Sequence, residues 1–258
     1  MIKFSANISF LFTEFSFLDR FKVASENGFT AVEYLFPYKW DPLLLKNILD
    51  KEKLRQVLFN ISPGSETKGE KGLASLVGRE EEFKIQIKEA IHYAKILECT
   101  QIHIMAGIPE KNSSPIKIYK TFLNNLSYAA DQCGKNNIYS LIEPINNIDI
   151  PGYYLNYTDD AAKIINELNH PFLRMQLDLY HTQIMSGNLS HFIKKYIHLI
   201  NHIQIASPPN RYEPDKGEIN YDFIFKLLKQ LNYSGYIGCE YKPSKNSIDS
   251  LNWIKKYR

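Results

Sequence analysis

Eight short runs rich in β-branched, aromatic and aliphatic residues recur along this chain, and a helical pattern follows each one. The runs fall at residues 3–10, 31–34, 56–61, 101–105, 138–145, 173–179, 202–205 and 236–240. Helical patterns follow at 18–27, from Pro42 onward, and at 79–97, 115–133, 158–168, 189–200, 221–231 and 248–256. Local signals punctuate them: Gly28 stops the first helix, and Asp41 caps the second with Pro42 at its first position. Strands that alternate with helices at this spacing form βα units and therefore a parallel sheet. Eight such units in 258 residues fit a closed (β/α)8 barrel, an α/β TIM barrel, better than an open sheet. No linker or shift in composition divides the chain, so one barrel domain over residues 1–258 is expected.

Charge and cysteine usage exclude several function classes. The net charge of +3 is modest, and Lys and Arg interleave with Asp and Glu, which gives no basic face for nucleic acid. No apolar run reaches the length of a membrane span. The chain enters a strand pattern at once, without a signal peptide's basic and apolar regions. Cys99, Cys133 and Cys239 are too scattered for a disulfide framework or a C-x-x-C metal site, which fits a reducing, cytoplasmic location. Neither a P-loop, a G-x-G-x-x-G turn nor a serine-nucleophile elbow occurs, so no nucleotide cofactor is expected.

In a barrel the chemistry lies at the C-terminal ends of the strands. Glu143 follows the fifth run, Asp178 closes the sixth, Gln204 lies in the seventh and Glu240 closes the eighth. Any one of these alone reads as a helix cap or a structural ion pair. Four on consecutive strands point instead to one shared site. Carboxylates and an amide, without thiolates, favour a hard divalent ion such as Mg²⁺ or Mn²⁺. Asp178 belongs to the segment M-Q-L-D-L-Y-H-T-Q-I-M-S-G, which reads as a strand end followed by a turn toward Gly187.

The loops just beyond add candidates. His181 is placed to hold a substrate hydroxyl or a metal-bound water, or simply to bond within its loop. Arg211 sits where a guanidinium grips a substrate carboxylate. Glu70 and Lys71 lie in a long glycine-rich loop after the third run and read most simply as solvated charges. His103 and His202, inside strands, are expected to be satisfied core histidines. Phe10, Phe12, Phe36 and Tyr38 either wall the pocket or fill the core.

These residues carry a resemblance. F-S-A-N from Phe4, G-E-K-G from Gly69, M-A-G from Met105, Glu143-Pro, D-L-Y-H-T-Q-I-M from Asp178, Q-I-A from Gln204 and G-C-E-Y from Gly238 are similar to the hydroxypyruvate isomerase family. That family includes the 2-oxo-tetronate isomerases, within the xylose isomerase-like barrels. The resemblance runs nearly end to end. It implies Glu143 and Glu240 as the proton donor/acceptor pair, and Glu143, Asp178, Gln204 and Glu240 as ligands of a divalent metal. It further implies His181 and Arg211 as substrate-binding residues, together with the Glu70–Lys71 loop. Lys71 departs from the arginine expected there, which keeps the charge but loses bidentate recognition of a carboxylate. The implied partner is a small hydroxy-oxo acid, with nucleic acid and membranes excluded and homo-oligomerisation left open. The implied reaction is aldose–ketose isomerisation of hydroxypyruvate; isomerisation of 2-oxo-tetronate or 3-epimerisation of a ketose is the alternative.

Overall fold

The computed structural model describes residues 2–257. In chain order the elements are β1 (Lys3–Asn7), α1 (Asp19–Glu26), β2 (Ala31–Glu33), α2 (Pro42–Lys51), β3 (Arg55–Asn60), α3 (Glu80–Leu97), β4 (Gln101–His103) and α4 (Pro115–Gly134). There follow β5 (Tyr139–Ile142), α5 (Thr158–Leu168), β6 (Leu173–Asp178), α6 (Leu179–Met185), α7 (Leu189–Tyr196), β7 (Ile200–Ile205), α8 (Tyr221–Gln230), β8 (Tyr236–Cys239) and α9 (Ser247–Ser250). The eight strands close in sequence order into a parallel barrel, with β1 paired to β8 from Lys3↔Tyr236 to Ala6↔Cys239. No helix among the described residues is long and apolar enough to cross a membrane.

Alternation along each strand sorts the side chains. On β1, Phe4 points outward into the helix layer, where it meets Phe225 of α8 and Trp253 edge-on at 5.6 and 5.5 Å. Ser5 and Asn7 point inward instead, and both bond Glu33. TIM barrels usually fill their interior with branched apolar side chains. Here the interior carries a polar column. Gln204 on β7 reaches Glu33 on β2, His202 meets Glu33 at 2.9 Å, and Gln101 on β4 reaches His202 across the lumen. Buried polar groups are tolerated when they find partners, as Glu33, Gln204 and Gln101 do here.

Two features differ from the sequence reading. The segment after Asp178 is a helix, α6, rather than a turn, and Asp178 caps it by accepting from the Tyr180 N–H at 2.8 Å. Its first four residues are all buried, so it shows none of the one-sided polarity that marks a surface helix. The last helix, expected over 248–256, is α9 followed by a tighter 3₁₀ turn over Leu251–Lys256.

The glycine-rich loop after β3 is pinned, not loose. A Cβ on Gly72 (φ +118°) would lie 2.3 Å from the Met105 carbonyl oxygen, and one on Gly107 (φ +91°) 2.3 Å from that of Gly72. Only glycine permits this crossing of two backbones. Glu70 accepts from the Ser65 N–H at 2.7 Å and pairs with Arg79 at 2.9 Å, which staples the loop to the start of α3.

Candidate active site

The C-terminal ends of the strands surround a cavity of about 310 Å³, near the lower end of small-molecule pockets. Glu143, Glu240, His181 and Arg211 line it, as do Glu70 and Lys71 at the mouth. Phe10 and Phe36 wall it, whereas Phe12 packs on Phe29 and Tyr38 on Tyr93. Asp178 and Gln204 are buried just beneath.

The structure gathers the four strand-end residues into two neighbouring groups. In the first, ligand atoms of Glu143, Asp178 and His181 lie within 4.8 Å of one another. Glu143 Oε1 and Asp178 Oδ2 are buried without a hydrogen bond, and only Asp178 has a cation near, Arg211 at 3.6 Å, so a costly arrangement persists unless a further cation meets them. The donor set therefore fits a metal ion. His181 is more specific. Asn146 Oδ1 accepts from the Ile148 and Asp149 N–H groups, so its amide nitrogen faces His181 Nδ1 at 2.6 Å. A neutral His181 accepting there carries its proton on Nε2, 3.6 Å from Asp178 Oδ2. Such an imidazole donates to an oxygen and does not ligate through that nitrogen.

In the second group Glu240 Oε2 accepts from Asn7 at 2.6 Å and from Gln204 at 2.5 Å, and Oε1 accepts from Arg211 at 2.5 Å. Gln204 also donates to Glu33 at 2.8 Å and accepts from Gln176 at 2.6 Å. Arg211, in the left-handed region at φ +58°, is flanked by the rings of Phe10 and Tyr180 at 4.8 and 4.9 Å. It also reaches Asp149 at 3.3 Å.

Burial dominates the titration of this site. It pushes Glu143 well above the usual carboxylate range, helped by the charges of Glu240 and Asp178. It pushes Glu240 up to about 8 and Asp178 to about 6, in both cases against the pull of Arg211. It holds His181 well below its ordinary value, and the Arg211 charge adds to that. The imidazole is therefore neutral, as its hydrogen bonding requires.

Several residues escaped the sequence reading. Glu33, fully buried, is the anchor of the polar column. It accepts from Ser5 (2.7 Å), Asn7 (3.3 Å) and Gln204 (2.8 Å) and lies 2.9 Å from His202 Nε2. Asn7, Asn146 and Gln176 hold the site's functional groups from behind. His202 lies in the core, with Nδ1 on Gln101 at 3.3 Å and Nε2 2.9 Å from Glu33 Oε2, whereas His103 does not meet the expectation of a satisfied core histidine. It lines the cavity with neither ring nitrogen hydrogen-bonded, and Asn60 stands abreast of it on β3. The search applied to the ends of the last four strands finds Asn7, Glu33, Asn60 and His103 when extended to the first four.

Comparison with known proteins agrees with this fold. The family model described as Xylose isomerase-like TIM barrel matches residues 21–257. The hydroxypyruvate isomerase of Escherichia coli (strain K12) is 43% identical over 258 residues, covering 100% of both chains. The 2-oxo-tetronate isomerase of Cupriavidus necator is also 43% identical, covering 100% of this chain and 99% of its own. A crystal structure titled AP endonuclease, family 2, from Brucella melitensis superposes with a TM-score of 0.98 at 42% identity, covering 100% of both chains. The chain belongs to the xylose isomerase-like TIM barrel family, and within it to the hydroxypyruvate and 2-oxo-tetronate isomerases.

Proposed function

We propose that this isomerase interconverts hydroxypyruvate and 2-hydroxy-3-oxopropanoate, with Glu143 and Glu240 moving the proton. The observation that carries the proposal is a pair of buried glutamates on different strands, both lining one cavity and both raised toward neutrality. A carboxyl works as acid and base at neutral pH when its environment lifts it in this way. One glutamate takes the proton from C3 and the other delivers one to C2, while the C3 hydroxyl proton passes to the C2 oxygen. Arg211 holds the substrate carboxylate, and its flanking rings fix the guanidinium plane. His181 donates its Nε2–H to a substrate oxygen, in the tautomer that Asn146 sets.

Glu143, Asp178, Gln204 and Glu240 are the residues that would hold a divalent ion, Mg²⁺ or Mn²⁺; Gln204 would use its amide oxygen, here bonded to Gln176. Such an ion supplies Lewis-acid stabilisation of negative charge on the substrate's oxygens. Placement in a reducing compartment is supported by three buried cysteines, none of them in a disulfide. The endonuclease title of the Brucella structure describes that protein. Here a single His/Asp/Glu ligand group among the described residues and a net charge of only +3 favour a small acid over DNA.

The test is Glu240→Gln. Hydroxypyruvate turnover should fall by at least about a thousandfold, on the scale of lost acid–base catalysis, while substrate affinity stays within a few-fold. Wild-type turnover in that variant would refute the two-glutamate scheme.

A further inference from the structure

His103 poses a problem that the reaction as described does not solve. It lies on β4, is 1% exposed, and points into the cavity with both ring nitrogens unpartnered. Glu143 Oε2 lies 3.5 Å from its Nδ1. Leaving a buried donor and acceptor unmade is expensive, so a side chain kept in this state implies a partner that comes and goes. Asn60 is the direct strand partner of His103, so the two side chains leave the barrel wall side by side. Its backbone is fully engaged, with N–H to the Leu35 carbonyl and C=O to the Tyr38 hydroxyl, but its amide faces the cavity without a partner among the described residues.

Position gives the pair its meaning. In a closed eight-strand barrel, β3 and β4 stand across the lumen from β7 and β8. Arg211 and Glu240 belong to that far side, so a substrate whose carboxylate is held by Arg211 directs its other end toward Asn60 and His103. A neutral imidazole offers one donor and one acceptor, and an amide offers two donors and an acceptor oxygen, which together complement a hydroxyl group. Hydroxypyruvate ends at the reacting C3 and has no group to place there. A four-carbon 2-oxo acid carries a hydroxymethyl group on C3, and its hydroxyl reaches further along the same line.

Resting on the isomerase reading above, we infer that Asn60 and His103 form a hydroxyl subsite that makes a four-carbon 2-oxo acid a better substrate than hydroxypyruvate. The subsite selects by length. A site built to bond a hydroxyl discriminates against the analogue that lacks it, because its own polar groups are then left unpaired.

The experiment measures kcat/KM for hydroxypyruvate and for 2-oxo-tetronate in the wild type, His103→Leu, His103→Gln and Asn60→Leu, with thermal melts to confirm folding. The wild type should prefer the four-carbon acid. In His103→Leu that preference should shrink about tenfold, the scale of one lost hydrogen bond, and in Asn60→Leu it should shrink as well. His103→Gln, which keeps a donor and an acceptor, should restore part of it. Any effect through the neighbouring Glu143 falls on both substrates and cancels in the ratio. An unchanged ratio in His103→Leu and Asn60→Leu would overturn the subsite and leave the isomerase reading intact. If the wild type turns over neither acid, the isomerase reading fails and the subsite fails with it.

Discussion

Replacing Gly238 with alanine tests whether the polar column inside the barrel is rigid. Gly238 lies on β8, abreast of Ser5 on one side and Gln204 on the other. Its backbone is not left-handed, so alanine is conformationally acceptable and any cost comes from space alone. A Cβ there would sit 2.3 and 2.5 Å from the two carboxylate oxygens of Glu33. A flexible side chain would swing away cheaply. Glu33 cannot, because Ser5, Asn7 and Gln204 hold it and His202 lies at 2.9 Å. Moving it forfeits two hydrogen bonds to a buried carboxylate, each worth about 1.5–3 kcal/mol, for a loss of about 3–6 kcal/mol. Urea unfolding followed by circular dichroism reads this directly. In thermal melts a protein of this size should lose roughly 10 °C or more. The cycle closes with Glu33→Ala, in whose background the same alanine has nothing to displace and should cost under about 1 kcal/mol. If Gly238→Ala on the wild-type chain costs less than about 1 kcal/mol, Glu33 is free to move and the rigid column does not exist.

The metal-free protein should lose stability as pH rises from 7 to 8.5. Glu240 is raised to about 8 when folded, so the folded state keeps a proton that the unfolded chain has already released, and this stability drains away through that range. The expected loss is about 1–2 kcal/mol, seen as a falling Tm in EDTA, and a flat or rising Tm would show that burial does not raise Glu240 against the pull of Arg211. Below pH 7 the neutral His103 and His181 act in the opposite sense, since the unfolded chain binds protons there that they refuse. Glu70→Gln should loosen the loop between Ser62 and Arg79 by about 1 kcal/mol, because it breaks the pair with Arg79. Limited proteolysis within that loop should then run several-fold faster, and an unchanged cleavage rate would show that the glycine crossing alone holds it.

The architecture was legible because it rests on repetition. Eight alternations, the Asp41–Pro42 helix start and the four polar strand ends are each local signals, and the structure keeps them. What escaped depends on contacts between distant residues. Glu33 ends a strand of three residues and looks like any acid near a turn; only the convergence of Ser5, Asn7, Gln204 and His202 gives it a role. His103 was expected to be satisfied because most strand histidines are, and no pattern in Q-I-H announces two idle nitrogens. The tautomer of His181 is set by Asn146, 35 positions away, through a bond no spacing rule anticipates. The α6 helix hid for the opposite reason, being buried where periodicity would have shown it.

The ladder between β1 and β8 has a consequence for how the protein acquires its activity. Asn7 and Glu240 are 233 positions apart and share a 2.6 Å hydrogen bond across the last gap in the cylinder. During synthesis the first strand waits, one edge unmatched, until β8 has left the ribosome. Loop-closure entropy rises only slowly with length, so the delay is one of timing more than of free energy. Turnover in a refolding mixture therefore serves as a clock for closure: the proposed acid–base pair includes Glu240 after the final strand and would switch on only when the ring shuts. Near the two ends of the described residues, the rings of Phe4 and Tyr257 lie 6.4 Å apart. A circular permutant that joins the two ends and opens a surface loop elsewhere would move the closing event to another pair of strands, and the moment of activation would move with it.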